Sequence, residues 1–317
     1  MPDRLDFAIK PLTPIFTGGL DGKCDHLHVS GIIGSLRWWF ESLVRGMGGT
    51  ACDPSTHECM DGNYCDTCLI FGATGLKRIF RLEMEHYKNS DYGKRLPQIK
   101  IVEKHDPHIN RGRHHGWFLD PGMTGELKGT IYYPLRPLSL GLCSENLGQM
   151  LMLTLSLASR WGGLGAGTSK GYGVCNLDQT VQNMEAALEG MEKLTNGKQR
   201  PVAARPHYPT LNEFFFAKFR FDPGEPKQFL TGPPLKRIFF PREWGALSYY
   251  TSKGIIPISP LLRYHLRRLI AENYPNNRDL RHRLMGEVWG NKRQKSLINI
   301  SHAYAVAKNE NSCEFRI

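Results

Sequence analysis

The chain has 317 residues, of which 40% are hydrophobic and 22% charged, and a formal net charge of +11. This composition supports a buried core, and the length suits two domains of ordinary size. No apolar run approaches the roughly eighteen residues a membrane-spanning helix needs. The opening MPDRLDFAIKPL lacks the basic-then-apolar order of a signal peptide, so a cytoplasmic location is expected.

Leu5, Phe7 and Ile9 alternate in a strand that Gly18 and Gly19 end. In SGIIGSLRWWFESLVRGMGG, the residues Leu36, Phe40, Leu43, Val44 and Met47 form the apolar stripe of an amphipathic helix. Ser35 reads as its N-cap and Gly46, Gly48 and Gly49 as its stop. Arg37 and Glu41 lie one turn apart off that stripe, so an ion pair between them competes with any ligand role for Arg37. Trp38 and Trp39 are read first as core and second as base-stacking groups.

Cys52, Cys59, Cys65 and Cys68 follow within seventeen residues, half of the eight cysteines in the chain. The terminal CxxC is a good chelate for zinc, so a structural zinc held by these four thiolates is expected, with His57 a substitute ligand. Free thiols in a surface loop are the competing reading.

Residues 78–87 read as a strand. Residues 88–117 are polar and rich in His and Arg, either a disordered loop or a projecting hairpin. A strand at 129–135, a helix at 146–160, a glycine-rich loop and a strand at 172–177 complete the order strand, helix, strand, strand, helix, strand, the split βαβ of a ferredoxin-like domain. A short helix at 184–194 and a linker over 196–209 lead to a strand at 214–221. Ser259 then caps a helix with Pro260 at its first position and Leu262, Leu266, Leu269 and Ile270 inward. Arg263, Arg267 and Arg268 fall on its other side, and a strand at 296–306 closes the pattern. The expected fold is α+β, with two ferredoxin-like βαββαβ domains. The first spans residues 1–200 with a Cys-rich insertion at 50–70; the second, basic one spans 205–317 and is incomplete or rearranged.

The charge follows this division. Residues 1–204 carry 22 Lys and Arg against 21 Asp and Glu, whereas residues 205–317 carry 19 against 9. A surplus of this kind attracts polyanions, though a solvated basic surface has the same composition.

GGLGAGTSKGYG at 162–173 fits neither the Walker A spacing nor GxGxxG, and it follows a helix where those motifs follow a strand. A flexible turn is one reading. Arg160, Trp161, Lys170 and Tyr172 flank it with cations and rings, the combination that binds single-stranded RNA, and its backbone is a candidate anion nest.

SGIIGSLRWWFESLVRG, IFGATG at 70–75 and GGLGAGTSKGYG together resemble the motifs of the RAMP superfamily. The nearest likeness is to the first-numbered RAMP subunits of Cmr (type III-B) CRISPR effector complexes. MGEVWGNKRQKSLINISHAY resembles a second, degenerate copy of such a segment. The resemblance implies a non-catalytic subunit at the head of the complex, near the 3′ end of the guide RNA. Guide RNA, target RNA and other RAMP subunits are the implied partners. Ser35 and Arg37 match the helix-opening motif, where helix N–H groups and a guanidinium suit a phosphate. Gly162, Gly163, Gly165, Gly167, Lys170, Gly171 and Gly173 match the glycine loop. The expected RNA contacts are these, with Arg160, Trp161, Tyr172, Arg263, Arg267, Arg268, Lys292 and Arg293.

The runner-up is a metal-independent endoribonuclease of the RAMP type acting on guide precursors. Its general base would come from His26, His28, His114 or His115. A metal-dependent nuclease using Asp25 or Asp106, and a scaffold without RNA, are further alternatives.

Overall fold

The computed structural model describes residues 3–53, 59, 62–95, 99–101, 115–117, 121–134, 140–196, 208–218, 220–221, 255–257, 259–289, 292–294, 296–298, 300, 304–309 and 312–316. Alternation of Leu5, Phe7 and Ile9 with Asp6, Ala8 and Lys10 makes β1 (Asp3–Pro11) two-faced, and Phe7 and Ile9 are buried. The helix α1 (Val29–Gly46) follows, then the short helix α2 (Asp66–Phe71) in the cysteine segment. β2 (Arg81–Arg95), β3 (Ile99–Ile101), β4 (His115–Trp117) and β5 (Pro121–Tyr133) come next. Helix α3 (Ser144–Trp161), β6 (Cys175–Leu177) and helix α4 (Met184–Thr195) complete this part.

The strands form one four-stranded antiparallel sheet in the order β2-β5-β1-β6. Phe7 lies opposite Gly129 of β5, where a Cβ would sit 2.2 Å from the Phe7 ring, so only glycine admits this pairing. Phe7, Ile9, Leu82, Leu127 and Ile131 join Ile32, Leu36, Phe40, Leu147, Met150 and Leu151 from α1 and α3 in one buried core. Each such side chain contributes about 1.5–3 kcal/mol on burial. Cys143 and Asn146 cap α3 reciprocally, and the Asn146 amide also donates to Ala186 O, which docks α4.

The polar stretch after β2 is a hairpin as far as it is described. β2 and β5 pair out to Arg95 and Pro121, and β3 pairs with β4. Toward the C-terminus, β7 (Arg220–Phe221), β8 (Ile255–Pro257), β11 (Tyr304–Asn309) and β12 (Ser312–Arg316) form a second antiparallel sheet in the order β7-β12-β11-β8. Between β8 and β11 lie α5 (Ser259–Asn273), α6 (Arg278–Met285) and the paired strands β9 (Glu287–Trp289) and β10 (Lys292–Gln294).

Four local expectations are corrected. Ser35 is not an N-cap: α1 begins at Val29, with His28 at the cap, and Ser35 lies in its second turn. Gly31 packs on Thr17, where a Cβ would lie 2.9 Å from the methyl, so the first turn is held by a tertiary contact that periodicity does not register. Residues 214–218 lie outside any strand, and only Arg220–Phe221 pair. Phe214 is extended and its alternation with Phe216 is real, but the Phe214 ring packs on α1 and the Phe216 ring on α1 and α3. Leu269 is half exposed at 51% while Leu266 and Ile270 are partly covered. The closing strand starts at Tyr304, and residues 296–298 precede it without strand pairing. Among the described residues no helix is long and apolar enough to cross a membrane.

Candidate nucleic-acid interface and metal centre

The loop 162–173 turns back on itself through left-handed glycines. Gly165, Gly167, Gly171 and Gly173 have φ between 73° and 93°. At Gly173 a Cβ would stand 2.1 Å from Leu164 O, and at Gly165 2.4 Å from Phe16 O. Seven of its N–H groups are taken up by acceptors in the loop or in the elements behind it. Leu164 donates to Gly173, Gly165 to Ser35 Oγ, Ala166 to Phe16, Lys170 and Tyr172 to Gly167, Gly171 to Thr168 and Gly173 to Pro14. Those amides are therefore not an open anion nest. Gly163 and Tyr172 are buried, the latter 5.6 Å from the Phe16 ring, whereas Ala166, Ser169 and Lys170 face solvent. The loop is a brace that presents Lys170.

Arg37 is bound inward. Its Nε donates to Glu41 Oε1 at 2.9 Å, Nη1 to Gly72 O at 2.8 Å and Nη2 to Cys68 Sγ at 3.1 Å. The pairing with Glu41, weighed from the sequence as the competitor of a phosphate contact, is the arrangement found. Arg45 reaches the same carboxylate at 3.4 Å and also donates to Ala51 O and Pro209 O. Burial pushes the Glu41 carboxyl up, against the pull of both arginines.

Cys52, Cys59, Cys65 and Cys68 are all buried, with their sulfurs within 4.8 Å of one another. Cys65 N donates to Cys59 Sγ, and Cys52 N and Cys68 N to Cys65 Sγ, at 3.3–3.4 Å. Cys65 also caps α2. Hydrogen bonding from the Cys52 thiol, then from Cys68, holds the Cys65 thiol well below its usual range, and the same contact pushes Cys52 up. Tetrahedral zinc at about 2.3 Å from each thiolate sets sulfurs about 3.8 Å apart, so this cluster can hold a metal ion. His57 lies outside the described residues.

In the C-terminal part, Arg263 donates to Met285 O and to Ile298 O, and Arg267 to Gly286 O. Both guanidinium groups close the carbonyl end of α6, where a cation complements the helix dipole. Arg268 lies on α5, and Lys292 and Arg293 lie on β10, paired in register with Trp289 and Val288.

Arg160 is exposed and lies 5.7 Å from the Trp161 centroid. Lys218 Nζ stands 4.8 Å from the same ring. Sequence periodicity missed Lys218 and the Phe214–Phe216 strip. Three consecutive aromatics cannot all face one core, and that was the available signal. Near the start of α1, Asp25 Oδ1 contacts His26 Nδ1 at 2.9 Å and His28 Nε2 at 3.1 Å. His115 is in β4, while His114 and Asp106 lie outside the described residues.

These observations define a mixed α+β chain with a four-stranded antiparallel sheet and, just before its last strand, a glycine brace against the first helix. A family model described as the RAMP superfamily matches residues 8–176, more than half of the chain, and the chain belongs to that superfamily. Solved structures similar to it include a chain of the type III-B Cmr-beta bound to cognate target RNA, at 11% identity and a TM-score of 0.35 over 64% of each chain. A second Cmr-beta structure, with target RNA, AMPPnP and ssDNA, matches at 10% identity and 0.35 over 61% of this chain and 58% of that one. Cmr1 from Pyrococcus furiosus in its apo form matches at 15% and 0.31, over 59% and 52%. The match spans less than two thirds of each of those chains, and scores of this size do not equate folds. No curated protein matches the chain.

Proposed function

We propose that the chain is a non-catalytic RNA-binding subunit of a type III-B CRISPR ribonucleoprotein complex. In this reading it sits at the head of the complex near the guide RNA 3′ end and helps capture target RNA in antiviral defence. The observation that carries the reading is the RAMP match over residues 8–176, which takes in all three motif segments of that region. The order β2-β5-β1-β6, with α1 and α3 packed on its inner face, supports a ferredoxin-like first domain. The second sheet supports a second, rearranged one. The four buried cysteines are assigned to a structural zinc, with no open position for chemistry. RNA contact is assigned to exposed Lys170 and Arg160 and to the basic last third of the chain, while Ser35 and Arg37 support the scaffold behind them.

A native pull-down with sequencing of bound RNA and mass identification of partners tests this. Processed guide RNA together with several other RAMP subunits is expected. A chain recovered without RNA would overturn the reading. Lys170→Gln should lower RNA affinity and reduce its salt slope by about 0.7.

The contact of Asp25 with both His26 and His28 favours one second reading, the guide-precursor endoribonuclease, because a carboxylate orients an imidazole for general-base work. Cleavage of precursor RNA that His26→Ala and His28→Ala abolish would establish it.

A further inference from the structure

Phe214, Phe215 and Phe216 run along the open side of α1 and the end of α3. Phe214 stacks on Trp38 at 5.9 Å and 22°, and Phe216 lies 6.0 Å from Trp39 and 5.0 Å from Trp161. Trp38 remains 41% exposed and Phe215 91%. One planar group is thus left partly and another almost wholly facing solvent, at a cost in hydration. Arg160 and Lys218 both stand over Trp161 at the adjoining end, and no carboxylate pairs with either among the described residues. Burial and the charge of Arg160 lower the Lys218 ammonium from its usual range, as expected of two like charges held together without an anion. Glu213, exposed at the start of the strip, pairs with neither.

We propose that this strip is a binding site for single-stranded RNA, with bases stacked on the exposed rings of Trp38 and of Phe215 and backbone phosphate between Arg160 and Lys218. The proposal rests on the RNA-binding reading above and gives it a site away from the glycine loop amides. The chemistry favours nucleic acid over protein. Stacking on exposed rings beside cations tolerates any base, whereas an apolar protein interface would leave the two cations desolvated without a partner.

The test is fluorescence anisotropy of the full chain with a labelled oligouridylate of about ten nucleotides. Phe215→Ala should weaken binding roughly five- to a hundred-fold. Arg160→Gln with Lys218→Gln should cut the salt slope by about 0.7 for each phosphate no longer neutralised. All three positions are exposed or half-buried at the surface, so unchanged circular dichroism and melting temperature are expected. Wild-type binding that every variant retains in full would overturn the strip while leaving the RNA reading intact. If those variants instead lose copurifying subunits, the strip is a protein interface and the proposal fails. No binding by the wild-type chain would overturn both readings together.

Discussion

Ser35 Oγ accepts a hydrogen bond from Gly165 N at 2.9 Å and lies 3.2 Å from the carbonyls of both Gly165 and Gly31. One hydroxyl therefore fastens the glycine loop to the second turn of α1, across 130 residues of sequence. Removing it leaves the Gly165 N–H without its acceptor. Ser35→Ala should cost about 1–3 kcal/mol, read as a melting-temperature drop of several degrees by calorimetry. An unchanged melting temperature would show that the loop holds itself.

Glycines in these elements divide by what a side chain would meet. Gly173→Ala forces a Cβ to 2.1 Å from Leu164 O at φ 73°, and misfolding or insolubility is expected. At Gly34, inside α1 and with nothing within 4 Å, alanine should stabilise by about 0.5–1 kcal/mol through helix propensity. Gly31→Ala, against Thr17, should destabilise. Denaturant melts of the three variants give the order directly.

Elemental analysis of the purified chain should find one zinc per molecule. Chelation, or Cys65→Ser, should melt α2 and raise its hydrogen exchange. Acid should release the ion, because ligating thiolates must be deprotonated. A metal-free chain with the same exchange profile would disprove the site.

Arg37 ties that segment to α1. Arg37→Met leaves Glu41 buried with Arg45 as its remaining ion-pair partner and removes the donor to Cys68, at a cost of about 3–5 kcal/mol. Urea denaturation should show it, and Arg37→Lys, which keeps a cation beside Glu41, should lose less.

Alkali should destabilise the protein through two buried acids. Burial pushes the Cys175 thiol from 9.0 to about 12, and burial with Asp3 and Glu145 pushes the Tyr133 phenol from 10.0 to about 12. Both folded values are raised, so their contribution is full below the unfolded values and is lost as the pH rises toward 12. Tyr133→Phe and Cys175→Ala should each flatten the fall in stability measured between pH 9 and 11.

Side-chain spacing alone sets the properties that local periodicity carries. The apolar stripe of α1, the helices α3 and α4, the alternation in β1 and the order of the four paired strands and two long helices through Leu177 follow from it, whereas α2, β3 and β4 do not. The CxxC spacing likewise marks a cluster whose four sulfurs come together. Tertiary structure decides what each flagged residue faces. Ser35 reads as a helix start because a favoured capping residue stands just before the apolar stripe that opens at Leu36, yet α1 runs back to Val29, with Gly31 packed on Thr17. Arg37 and Tyr172 carry groups suited to RNA, but the first is bound by Glu41, Gly72 and Cys68 and the second is buried beside Phe16. Phe214 and Phe216 alternate as a strand would and then pack on Trp38, Trp39 and Trp161. Periodicity shows which side of an element is apolar. Which distant groups fill that side, and which polar groups are left for a ligand, is set by contacts between residues far apart in the chain.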